Sequence, residues 1–161
     1  MNRRRFLCQT GALGTLMLLA GCNTVAPPAA PGTGSDKTAE TLPLINALRA
    51  KRGLPPLVAD AAAGKAAQDQ AALMARVGRM EHNIGLGANF HDRMKAHDVT
   101  LPAGENIAAG QATTERAFLA WVNSPKHLVN MLGKSYRGLG VAMVTNPASG
   151  NKPYWAMVLS A

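Results

Sequence analysis

The sequence predicts an α+β domain with an antiparallel sheet, and two observations carry that reading. Stretches with the helical spacing of apolar residues come first, and stretches that alternate along a strand come last, from Gly138 to Leu159. Helices do not alternate with strands, so a parallel sheet of βαβ units is not expected. No stretch repeats another, which excludes a solenoid or a propeller.

Each element has a local reason. Leu44, Ile45 and Leu48 share a helical face opposite Arg49 and Arg52, Pro43 suits a first turn and Gly53 a C-terminal cap, so helix one runs to about residue 52. Leu54-Pro55-Pro56-Leu57 is extended. Asp60 then caps a second helix through about Met80, with Ala66, Leu73, Val77 and Met80 inward and small residues that let it lie close to a neighbour. Phe90-His91-Asp92-Arg93 is a polar stretch that leaves His91 and His97 in solvent, and Gly104-Glu105-Asn106 is a loop in which the carboxylate accepts backbone amides. Thr114 or its neighbour opens a third helix with Phe118, Trp121 and Val122 on one face. Ser124 and Pro125 restart a short helix that stops at Gly133. From Gly138 the period changes to two, residues 146–153 form a turn, and Tyr154 to Leu159 returns as the second strand of a hairpin.

The ends and the charge bound the setting. Of 17 Lys and Arg against 9 Asp and Glu, three open the chain as Arg3-Arg4-Arg5, ahead of an apolar run that ends in Leu19-Ala20-Gly21-Cys22. This is the layout of an export signal. The arginines before Phe6-Leu7 resemble a twin-arginine signal, and the four residues ending in Cys22 resemble a lipobox, whose cysteine takes a diacylglycerol before cleavage. Two or three acyl chains hold a protein on a bilayer far more firmly than one.

Residues 1–21 are thus expected to be removed, residues 22–37 to be a lipidated tether with three prolines and two glycines, and residues 38–161 to be one folded domain. Asn23 in place of an aspartate favours the outer membrane of the envelope. The remaining basic residues form no run, so nucleic acid is not an expected partner. With Cys8 lost and Cys22 acylated, the folded part has no disulfide and rests on its core. No apolar stretch of 18 residues follows Cys22, so the mature chain does not span a membrane as a helix.

Four separated pieces then resemble one family. They are Leu44-Ile45-Asn46-Ala47-Leu48-Arg49 with Gly53-Leu54-Pro55-Pro56-Leu57, His82, Gly104-Glu105-Asn106-Ile107, and Trp121-Val122-Asn123-Ser124-Pro125-Lys126-His127. In this order, over about residues 40–161, they are similar to bacterial members of the CAP superfamily, the cysteine-rich secretory, antigen 5 and pathogenesis-related domain, also called SCP-like. The resemblance implies a three-layer α-β-α sandwich around a central antiparallel sheet. It also implies a cleft where His82, Glu105 and His127 converge, which in many relatives holds a divalent metal. The second cleft glutamate of the eukaryotic pattern is missing, since Glu115 lies too early, and Tyr154-Trp155-Ala156-Met157 replaces a His-Tyr-Thr-Gln type run. Three ligands are then implied in place of four.

Two imidazoles and one carboxylate are a zinc ligand set with a position left to water. Gaps of 23 and 22 residues mean that only the fold can assemble them. His127, third in a helix after Ser124, sits at a positive helix end that favours the neutral ring. Asn130 shares its face, and it and Asn106 are the candidates to steady the ligands through hydrogen bonds. Ser124 is used as a cap and no Gly-x-Ser-x-Gly elbow occurs, so no nucleophilic catalytic residue is nominated.

The leading expectation is a non-catalytic envelope lipoprotein whose cleft binds a small lipid or peptide, with zinc as the one candidate cofactor. A metal-assisted hydrolase of peptide or cell-wall material and a purely structural interaction module stay open as alternatives.

Overall fold

The computed structural model describes residues 32–85 and 89–161. The export signal, Cys22 and most of the expected tether lie outside the described residues. Element order is β1 (Thr33–Asp36), α1 (Thr38–Ala50), β2 (Val58–Ala59), α2 (Ala61–Val77), α3 (Phe90–Ala96), β3 (Gly104–Ala109), α4 (Thr114–Val122), α5 (Pro125–Met131), β4 (Gly138–Thr145) and β5 (Tyr154–Ser160). The sheet runs β1-β4-β5-β3 with antiparallel neighbours, and β2 adds a short parallel pairing at the start of β4.

The three layers follow from strand alternation. Along β5, Tyr154, Ala156 and Val158 join Ala63, Ala66, Ala67, Ala71 and Met74 of α2 in one core. Trp155, Met157 and Leu159 join Ile45 of α1, Phe118 and Trp121 of α4 and Met131 of α5 in the other. The expected α-β-α sandwich is therefore the architecture, with β3 at one end of the sheet. Alanine gives α2 its close approach, and Gly140 completes it: a Cβ there would strike the backbone of Ala63 and Gly64.

Local signals placed most helices. Asp60 accepts from the amides of Ala62 and Ala63, and Thr113 caps α4. The helix α2 ends sooner than expected, at Val77, because Gly78 adopts φ of 70° and turns the chain out. Val77 and Met80 are consequently exposed at 39% and 51%, and the inward face is the alanine stripe.

Four further expectations are corrected. The helix α1 begins at Thr38, so Pro43 lies inside it, where its missing N–H leaves the carbonyl of Ala39 without that partner. Residues 33–36 are not tether but an edge strand, since β4 offers them a ladder from Thr145 to Ala142. Residues 104–109 are a strand and not a loop, paired with β5; context outweighs the weak propensity of Gly, Asn and Ala. Arg49 is not on a solvent face. One turn from Ile45, it is fully buried and donates to the carbonyls of Pro55 (2.8 Å), Met131 (3.0 Å) and Gly133 (3.0 Å). It thereby caps the carbonyl end of α5 with a cation.

Candidate functional site

The site forms around β3. Alternation turns Glu105 and Ile107 toward the α2 layer and Asn106 and Ala108 toward the layer of α4 and α5. The Glu105 side chain is only 2% exposed and lies against two donors. The guanidinium of Arg93 meets both its oxygens, Nη1 to Oε2 and Nη2 to Oε1 at 3.0 Å each, and His82 Nδ1 lies 2.8 Å from Oε1. The expected backbone amides are not its partners.

Each partner is positioned by a local device. His82 follows the left-handed Gly78 that ends α2, and Gln70 Nε2 holds its segment through the carbonyls of Glu81 (2.7 Å) and His82 (3.3 Å). Arg93 rides on α3, whose N-cap Asn89 accepts from the amide of Asp92. It also donates from Nη2 to the carbonyl of His82 at 3.1 Å and stands 5.7 Å from the ring centre of Phe90.

On the other face of β3, Asn130 Nδ2 donates to the Glu105 carbonyl (3.2 Å) and to Asn106 Oδ1 (2.9 Å). Asn106, fully buried, donates to the His127 carbonyl (3.1 Å), while Trp121 Nε1 donates to the Ile107 carbonyl (3.1 Å). Asn106 and Asn130 thus tie the backbones of Glu105 and His127 together. His127 is half-buried, and its Nδ1 finds no partner among the described residues. Burial first, and a positive charge on nearby His82 second, hold its pKa below the usual imidazole range.

The structure therefore brings His82 and Glu105 into direct contact and His127 within electrostatic reach of His82. Among the described residues no three His, Cys, Asp or Glu side chains are grouped so as to hold a metal ion. Arg93 occupies both oxygens of Glu105 in this arrangement. Sequence reasoning missed this residue because the stretch around it looked polar. Its signal was an Asn89 cap followed by Phe90 and Met94, four apart, the pattern of a short helix.

Two of the cavities among the described residues bear on the choice of site. One of about 210 Å³ has Ile107, Ala108 and Trp121 among its walls and Met80, Ser124 and His127 beside them. Ser124 occupies the N-cap position of α5, but its hydroxyl makes no cap bond. A larger cavity of about 660 Å³ lies between β1 and the first half of α2. Its carboxylates are already engaged: Asp36 takes the amide of Thr38, Asp60 caps α2 and meets the Ser160 hydroxyl, and Asp69 lies 3.2 Å from His97. These are capping and side-chain pairing contacts, so the smaller cavity, which adjoins His127, is the candidate site. His97 is accordingly paired and not simply solvated.

The sequence pattern of the cysteine-rich secretory protein family matches residues 42–159. Over 116 residues the chain is 34% identical to the uncharacterized protein YkwD of Bacillus subtilis (strain 168), covering 71% of this chain and 45% of that protein. It thus spans less than half of YkwD. The fold is similar to that of an outer surface protein from Borrelia burgdorferi, with a TM-score of 0.68 at 21% identity, covering 80% of this chain and 97% of that one. It is also similar to an extracellular protein containing an SCP domain from Bacillus anthracis str. Ames, with a TM-score of 0.67 at 24% identity, covering 77% and 40%.

Proposed function

The chain belongs to the cysteine-rich secretory protein family, the CAP superfamily, and on that premise we propose that it is an exported, lipid-anchored binding module of the bacterial envelope. The observation that supports a binding role is the cavity of about 210 Å³ beside β3, where an apolar wall of Ile107, Ala108 and Trp121 meets the half-buried ring of His127. A pocket of this kind takes an apolar group and orients it by one polar contact. Its size suits an alkyl segment of a small amphiphile or one side chain of a peptide. Exposed Met80 at the mouth is an adaptable contact for either.

A binding role fits these side chains better than turnover. A general base must reach its proton, and Glu105 is buried with both oxygens held by Arg93 and His82. Anchoring rests on the lipobox at Cys22 and the proline-rich stretch after it, and Asn23 favours the outer membrane. Among the described residues no helix is long and apolar enough to cross a membrane.

The test is a magnetic-resonance titration of the full chain with two probes, a monomeric lysophospholipid and a short apolar peptide. Amide shifts confined to Ile107–Gln111, Trp121 and His127 are expected with at least one of them. No shift there with either probe at millimolar concentration refutes the binding reading.

A further inference from the structure

The cleft contains the two histidines and the carboxylate that the sequence nominates as metal ligands, yet its geometry is that of a site whose cation is already in place. A buried carboxylate requires a positive partner. Glu105 has one: both oxygens face Arg93 at 3.0 Å, in the two-pronged arrangement that a planar guanidinium makes with a carboxylate. The same Nη2 holds the carbonyl of His82 at 3.1 Å, so Arg93 also fastens the segment that carries the first histidine. His82 in turn points Nδ1 at Oε1, 2.8 Å away. These contacts take both acceptor positions of Oε1 and one of the two on Oε2.

We propose that Arg93 is the resident cation of this cleft, standing where a divalent metal would otherwise neutralise Glu105, so that the site is assembled without one. This goes beyond the binding role above and is independent of what the cavity takes. Arg93 is held where it is. Its helix is capped by Asn89, its guanidinium stands over Phe90, and Met94 beside it is fully buried. A metal that reached Glu105 would have to compete with a cation that is already largely desolvated and paired there. Two imidazoles, one of them half-buried, would be the ligands left to it.

The experiment titrates zinc alone into the full chain and follows two signals, the heat of binding and the carbon resonance of the Glu105 carboxylate. In the wild type, millimolar zinc should leave that resonance where it is. Arg93→Met should free the carboxylate and raise zinc affinity about tenfold or more, equivalent to about 1.4 kcal/mol. The proposal is overturned if zinc moves the Glu105 resonance in the wild type. It is overturned equally if Arg93→Met, with a wild-type circular dichroism spectrum, binds zinc no more tightly than the parent. Should that variant not fold, the wild-type resonance decides alone: unmoved supports the proposal, moved rejects it.

Discussion

Replacing Glu105 by glutamine keeps the shape of the side chain and removes its charge, which isolates the value of the ion pair at the centre of the cleft. Arg93 is 15% exposed and Glu105 2%, so Glu105→Gln strands a largely desolvated guanidinium. Breaking a buried pair from one side costs about 3–5 kcal/mol. Arg93→Met strands the carboxylate instead and should cost a similar amount. The double variant strands neither charge and loses only hydrogen bonds, about 1–2 kcal/mol. The expectation is thus that the double variant is more stable than either single one. Urea unfolding followed by circular dichroism measures all three, provided the dependence on denaturant keeps its slope. Against a total of about 5–15 kcal/mol for a domain, such differences are large. Single costs that add to the cost of the double within about 0.5 kcal/mol would show two independent sites and refute the reasoning.

Three further outcomes follow from other parts of the molecule. Arg49→Met leaves the carbonyls of Pro55, Met131 and Gly133 without their donor, and thermal unfolding should show a loss of about 3 kcal/mol or more. Because the folded pKa of His127 lies below its unfolded value, its contribution is fully present above the usual imidazole range and declines as pH falls through that range toward the lower folded pKa. Melting curves from about pH 7.5 to 5 should therefore show falling stability that His127→Gln reduces; an unchanged slope contradicts the assignment. Cys22→Ser should move the protein from the membrane to the soluble fraction, and equal partitioning of the two forms would disprove the anchor.

What the sequence made legible were features that a few neighbouring residues determine. Asp60 and Thr113 signal helix starts, Gly78 signals a stop just before the expected one at Met80, and the change of period at Gly138 marks the hairpin. The strands β1, β2 and β3 have no such local signature, because each is extended only through a partner on β4 or β5 far along the chain. The same limit applies to Arg49 and Arg93. A lone arginine in a helical stretch is usually a solvated residue, and what buries these two is carbonyls 82 and 84 residues away in one case and a carboxylate 12 residues away in the other. The meeting of His82 and Glu105 near His127 was expected from the resemblance and not from spacing. The identity of their cation was outside both.

The strand that forms the wall of the cleft is also the last strand of the sheet, and a last strand is where one protein molecule can recruit another by continuing the ladder. Here the carbonyls of Glu105 and Ile107 are taken by the side chains of Asn130 and Trp121. Two helices thus occupy the hydrogen-bonding positions that an invading strand would need. This edge of the sheet is thereby closed to strand addition by side chains and not by a further strand, and the cavity beside it stays accessible.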